Sequence, residues 1–196
     1  SKLTKGPLKP QQRIHLLKTF VIPKHLNRLV LSRTTATGLC KMDLLIRKYV
    51  RRWLRLPGDV PVAFLYAPVK AGGKGIPCLK QWIPLMRFLR LNKAKRTGGD
   101  RIAAVLNCQL YASISHSCKT GPVSVGLMRS TNTGGLSAYW RRILIGHVDG
   151  HLKSAQNHSS ATSFNSIRMN DISGEDYIHY NQLRTNSIPT RKRTAI

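Results

Sequence analysis

Arg47, Lys48, Arg51, Arg52 and Arg55 place five cations in nine residues with no acid among them. Steps of three and four residues bring side chains onto one side of a helix, so the five would line a single face. Like charges at i and i+4 repel by about 0.2–0.5 kcal/mol per pair, and a partner rich in phosphate would offset that repulsion. The chemistry this implies is recognition of a nucleic-acid backbone. Bond making has few candidates. Only 7 Asp and Glu stand against 33 Lys and Arg, Glu175 is the sole glutamate, and no Asp-Asp pair occurs. Metal-dependent nuclease or polymerase chemistry needs converging carboxylates, so the sequence argues against an independent enzyme of either kind.

One metal arrangement is conceivable: Cys108 and Cys118 joined by His147 and His151, which at i and i+4 share a helix face. The gap between these cysteines is too long for a zinc finger, and no C-x-x-C pair occurs among Cys40, Cys78, Cys108 and Cys118. Buried thiols in a reducing compartment are the expectation, with no secretion and neither metal nor other cofactor in this chain. A second candidate is the loop Gly72-Gly73-Lys74-Gly75. It fits neither G-x-x-x-x-G-K-[ST] nor G-x-G-x-x-G. Three glycines in four residues point instead to a tight turn with positive φ or a close backbone approach.

Helices must position these residues. Pro10 suits a first helical position, and Ile14, Leu17, Phe20 and Val21 recur at helical spacing up to Pro23, where that helix should kink or end. A second helix is predicted over 24–32. In the third, at about 100° per residue, the five cations occupy one sector. Leu39, Met42, Leu45, Ile46, Tyr49, Val50, Trp53 and Leu54 occupy the opposite, buried one, with Asp43 and Leu44 as exceptions. Val60 to Tyr66, with Pro61 near its start, reads as a short strand. A helix over 78–95, interrupted at Pro84, carries Arg87, Arg90, Lys93 and Lys95, with Arg96 just beyond. Farther on, 138–148 is a short helical candidate and 153–170 reads as loop. Ser173, with Glu175 and Asp176 behind it, starts a helix that Pro189 stops. Trp140, Tyr177 and Tyr180 could stack on unpaired bases, and core packing is the preferred reading of each.

The formal net charge is +26, while 41% hydrophobic residues is the apolar share of a folded domain, not of a basic disordered tail. Residues 1–98 hold 22 of the Lys and Arg beside only Asp43 and Asp59, so the partner-binding surface concentrates there. No apolar run approaches the roughly 20 residues of a membrane span. Residues 1–20 are basic, acid-poor and broken by Pro7 and Pro10, and they lead into a coherent helix pattern. An internal piece of a longer polypeptide is therefore expected, in preference to a mitochondrial presequence.

The run Leu44-Leu45-Ile46-Arg47-Lys48-Tyr49-Val50-Arg51-Arg52-Trp53-Leu54-Arg55-Leu56-Pro57, with Asp59-Val60-Pro61, Ala67-Pro68-Val69 and Gly72-Gly73-x-Gly75-Ile76-Pro77, resembles the thumb of non-LTR retrotransposon reverse transcriptases. The type is the site-specific one that inserts into ribosomal DNA and carries a restriction-like endonuclease. Pro7-Leu8-Lys9-Pro10-Gln11-Gln12-Arg13 is similar to the same family. So are Ile172-Ser173-Gly174-x-Asp176-Tyr177-Ile178, Leu183-Arg184-Thr185 and Pro189-Thr190-Arg191-x-Arg193-Thr194, in the linker that precedes a zinc knuckle and the endonuclease. The likeness covers roughly 10–90 and 172–194 and skips 97–135. Lys74 departs from it, standing where the family pattern has an apolar residue. The palm motif Tyr/Phe-x-Asp-Asp, the knuckle ligands and the endonuclease acids are absent from the sequence.

The resemblance implies a mainly α fold: a helical reverse-transcriptase thumb over 1–97 with a short β-hairpin or strand insertion, a divergent segment over 98–136, and a small α-rich linker region over 137–196. It implies no catalytic residue in this chain. The expected role is to grip the phosphates of a template–primer RNA–DNA hybrid during target-primed reverse transcription, through Arg47, Lys48, Arg51, Arg52, Arg55, Lys70, Lys74, Arg87 and Arg90. Arg184, Arg191 and Arg193 of the linker would meet template RNA or target DNA. Magnesium would serve the parent polymerase, whose palm and endonuclease domains would be protein partners, in the nucleus and away from membranes. The alternative is a stand-alone basic RNA-binding protein of ribosomal or organellar assembly, which accounts for the charge but not for the two ordered blocks.

Overall fold

Pro10 opens α1 (Pro10–Leu16), where its missing N–H is one that a first helical turn leaves unbonded anyway. The Lys9 amide donates to Gln12 Oε1 at 3.0 Å and squares off this start. A π turn over Leu17–Val21 follows, with Ile22 N–H reaching back to the Leu17 carbonyl, and α2 (Ile22–Leu31) continues from it. Of the two outcomes expected at Pro23, a kink or an end, the helix does not end there but continues through it. A proline ring clashes with the carbonyl four residues back, and the wider π turn just before it supplies the room. The extra residue in that turn also shifts the helical phase. Ile14, Leu17 and Ile22 are buried, while Phe20, expected on the apolar side, is 63% exposed.

The computed structural model describes residues 4, 6–32, 34–97, 124–125, 128–129, 132–147, 172–185 and 187. They belong to two compact units, each assembled from separate segments: Ser1–Lys24, Leu44–Ile76 and Trp140–Ile196 form the first, His25–Asp43 and Pro77–Tyr139 the second. The fold is mainly helical, and among the described residues no helix is long and apolar enough to cross a membrane.

In the first unit, the later part of α3 (Ala36–Leu54) buries Val50, Trp53 and Leu54. Its buried stripe is narrower than the sequence pattern suggests: Leu45 is 56% exposed and Met42 is exposed as well, while Leu44, an exception to the pattern, is exposed on the cationic side. Leu45 lies at the edge of the apolar sector next to the cations and faces out there. The expected strand over Val60 to Tyr66 is instead a helix, α4 (Val62–Tyr66), with Ala63, Phe64, Leu65 and Tyr66 all buried. A run buried on every side has no polar residues to display either period, and Pro61 immediately before it is the sign of a helix start. A 3-10 turn, Val69–Ala71, leads into the glycine loop.

In the second unit, Asp43 lies on the buried side of α3 and is 3% exposed. Its carboxylate accepts from the backbone amides of Leu79 at 2.8 Å and Lys80 at 2.9 Å, and from Cys78 Sγ at 3.5 Å. These are the orphan donors at the start of α5 (Leu79–Thr97), so an acid 36 residues away caps that helix. α5 runs without interruption through Pro84, against expectation. Proline there removes one donor, the partner of the Lys80 carbonyl, in the second turn of a well-anchored helix. A two-residue antiparallel pair, β1 (Ser124–Val125) with β2 (Met128–Arg129), is the described β-structure, in register Ser124 to Arg129 and Val125 to Met128.

α6 (Thr133–His147) begins five residues earlier than 138, because Asn132 Oδ1 accepts from the Gly135 amide at 2.6 Å and caps a glycine-rich start. α7 (Gly174–Arg184) starts where the sequence puts it, Ser173 Oγ accepting from the Asp176 amide at 3.1 Å. It ends ahead of Pro189. Thr185 Oγ1 donates to the Asn181 carbonyl at 2.9 Å and Ser187 N–H to the Gln182 carbonyl at 2.7 Å, closing the last turn. The loop reading of 153–170, most of 98–136, and Pro189 lie outside the described residues.

Candidate nucleic-acid interface

Burial of Val50, Trp53 and Leu54 turns the opposite side of α3 outward, and Lys48, Arg52 and the following Arg55 are exposed on it. Arg47 and Arg51 are half-buried. Arg51 Nη2 donates to the Val60 carbonyl at 2.8 Å and so braces the segment that enters α4. The helix ends with Leu56 N–H bonded to the Arg51 carbonyl at 2.9 Å and Arg55 N–H to the Arg52 carbonyl at 3.3 Å, the paired bonds of a Schellman motif. Arg55 consequently has φ 49°, a left-handed conformation that costs a residue with a Cβ about 1–2 kcal/mol. Gln182, buried on α7, donates from Nε2 to the Arg55 carbonyl at 3.1 Å.

The glycine loop carries both features its composition implies. Gly72 and Gly75 have φ of 89° and 63°, and a Cβ at Gly73 would run into the Ala67 carbonyl oxygen. A Cβ at Gly72 would collide with the Arg184 guanidinium, which lies against the loop. Lys70 is exposed. Lys74 is turned inward and only 7% exposed, so its side chain is held by protein and is not presented to solvent. Its Nζ donates to Tyr177 Oη at 3.2 Å and sits 4.8 Å from the Tyr177 ring centroid and 5.3 Å from that of Phe64.

Burial, reinforced by the nearby Arg184 and Lys18 charges, lowers the Lys74 pKa to about 7. Lys18 Nζ donates to the Lys74 carbonyl at 2.8 Å, and burial lowers its pKa too. Arg184 packs with Cζ 5.5 Å from the Tyr180 ring, its pKa lowered by burial, while burial raises that of Tyr177.

α7 also meets α1. Gln11 Nε2 and Lys9 Nζ donate to the Ile172 carbonyl at 3.2 and 3.4 Å, and Gly174 lies against Pro10. The start of the first sequence block and the start of the second, far apart in the chain, thus meet in the first compact unit. Trp140 packs on Tyr66 with centroids 4.8 Å apart.

In the second unit, Arg87 caps the end of α2: Nε donates to the Val30 carbonyl at 3.0 Å, and Nη2 to those of Leu29 at 2.8 Å and Ser32 at 2.6 Å. Arg90 is exposed and donates to Asn27 Oδ1 at 2.6 Å. Arg191 and Arg193 lie outside the described residues, as do Cys108, Cys118 and His151 of the conceivable metal set. Among the described residues no group of three or more His, Cys, Asp or Glu is placed to hold a metal ion.

Sequence reasoning did not single out Lys18, Gln11 or Gln182, whose roles depend on partners remote in the chain. Asp43 did leave a signal, as an acid on the apolar side of a helix.

No family model matches the chain. Along its full length it is 98% identical over 196 residues to a retrovirus-related Pol polyprotein from the type-1 retrotransposable element R2 of Bradysia coprophila. It is 35% identical over 202 residues, 99% of the chain, to the Pol polyprotein of the type-2 retrotransposable element R2DM of Drosophila melanogaster. A type-1 R2 polyprotein of Nasonia vitripennis is 49% identical over 83 residues, covering 42% of the chain and 8% of that polyprotein. The chain spans 23% of the Bradysia polyprotein and 18% of the Drosophila one. Likeness along the whole chain leads to one assignment: the chain belongs to the reverse-transcriptase Pol polyprotein family of R2 non-LTR retrotransposable elements.

Proposed function

We propose that the exposed face of α3 holds backbone phosphates of the template–primer RNA–DNA hybrid during target-primed reverse transcription by the parent polyprotein. The observation that carries this reading is the outward row Lys48, Arg52 and Arg55, on a helix whose own acid, Asp43, is buried. Contacts to phosphate fix position without reading bases, which suits an enzyme that moves along its template.

In this reading residues 1–97 act as the thumb, 98–136 connect, and 137–196 act as the linker region. Arg47 and Arg51 support the row from behind. Lys70 and Arg90 extend the cationic surface of their respective units. Arg191 and Arg193 serve template RNA or target DNA. Lys74, Arg87 and Arg184, which bond or pack within the protein, are left out of the contact set. Magnesium and the polymerase acids belong to the palm, which with the endonuclease is the protein partner, and chromosomal target DNA makes the nucleus the place of action.

The test is the salt dependence of binding to a labelled RNA–DNA hybrid. Lys48→Gln with Arg52→Gln should flatten the slope of log K against log salt by about 2 units, equally for unrelated sequences. An unchanged slope in a folded variant rejects the phosphate assignment.

A further inference from the structure

Arg55 occupies a position that favours glycine. The two bonds that close α3 require its left-handed backbone, and glycine adopts that conformation without the penalty a Cβ brings. An arginine there gives up some folding stability and retains a cation at the end of the exposed row. The Arg55 carbonyl lies beyond the helix's own hydrogen bonds, and the Gln182 side chain supplies its donor. Gln182 is itself buried, so its amide is committed to the protein and not to solvent. The residue that holds the end of the cationic helix thus comes from α7, 127 positions later.

We propose that Gln182 is a positioning residue for nucleic-acid binding: by holding the Arg55 carbonyl it fixes the last cation of the α3 row against a backbone phosphate. This rests on the reading of α3 as a phosphate-binding face. It adds that the linker helix contributes to the grip without touching the nucleic acid.

The test uses the 196-residue chain and a fluorescein-labelled RNA–DNA hybrid. Arg55→Gly should raise Tm by about 2 °C or more, while flattening the salt slope by about 1 unit. Gln182→Met keeps the side-chain length and removes the donor. It should weaken binding by about threefold when Arg55 is present and leave affinity unchanged in an Arg55→Gln background. A loss of the same size in both backgrounds would make Gln182 a purely structural residue and overturn the proposal. So would Arg55→Gln with an unchanged slope while Lys48→Gln with Arg52→Gln flattens it, a result that leaves the α3 reading standing. If none of these variants alters the slope, the α3 reading fails as well.

Discussion

The cations of α3 and those beside the glycine loop carry the same charge in opposite surroundings within one compact unit. Lys48, Arg52 and Arg55 are exposed, whereas Lys18, Lys74 and Arg184 are drawn inward, where burial lowers the pKa of each. Water screens the first group, so holding like charges together there costs little. For the second group a phenol and aromatic rings replace part of the lost hydration: Lys74 rests on Tyr177 and Phe64, and Arg184 on Tyr180. A net charge of +26 is therefore no measure of a binding surface. Part of it serves to dock one helix of the protein on another segment, and at Lys74 that use opposes stability.

The largest expected effect breaks the interior group. With a Lys74 pKa of about 7 in the folded protein against 10.5 in the unfolded chain, only the unfolded chain takes up the proton between those values. Stability then falls as pH drops from about 10 toward 7 and rises on returning. Lys74→Met should remove this penalty and stabilise the protein near pH 7 by on the order of 4 kcal/mol. Its advantage over the parent should shrink toward about pH 9.5. Lys18 shifts in the same direction and remains in the variant, so the variant's pH curve should be shallower and not flat. Above about pH 10 the raised Tyr177 works oppositely, its contribution being lost as pH rises. Denaturant midpoints across this range check the sign, and a variant less stable than the parent at pH 7 would show that Lys74 is not paying a burial penalty.

Gly73→Ala comes next. Its Cβ would meet the backbone carbonyl of Ala67, which cannot swing aside as a side-chain tip can. A loss of about 3 kcal/mol is expected, together with a rise in Lys74 reactivity toward amine reagents as the loop opens. Full stability in this variant would mean the loop has slack, removing the distinction between inside and outside cations.

Much of the first group was legible in the sequence because it is local. Steps of three and four put the cations on one face, and Ser173 with Asp176 marks the start of α7 within four residues. What escaped depends on contacts between distant segments. Burial of Lys74 requires Tyr177, 103 positions on, and the role of Asp43 requires the amides at 79 and 80. Periodicity failed at Val60 to Tyr66 for another reason, since a run buried all round displays no period. At Pro23 and Pro84 the usual rule for proline gave way to a π turn and to a firmly capped helix.

A smaller effect separates hydrogen bonding from ring contact inside the cluster. Tyr177→Phe keeps the ring beside Lys74 and removes the oxygen that accepts from its Nζ. The expected loss is about 1–2 kcal/mol near pH 6, where Lys74 is charged, and less near pH 9, where a neutral amine makes a weaker bond. Denaturation at the two pH values would show this difference. Equal losses would mean that the phenol does not interact with the charged form.

The smallest stability effect belongs to the exposed face and has the opposite sign to its effect on binding. Lys48 and Arg52 stand at i and i+4, with Arg51 and Arg55 three residues from one or the other. Lys48→Gln with Arg52→Gln relieves this repulsion and should raise stability by about 0.3 kcal/mol at low salt. The gain should vanish near 1 M salt, where the screening length is about 3 Å. The same variant should bind the hybrid more weakly, so folding and binding move apart, as they do when a surface is kept for a partner and not for the fold. A loss of more than about 0.5 kcal/mol would instead mark these side chains as braces. The two groups of cations would then differ in degree of burial but not in purpose.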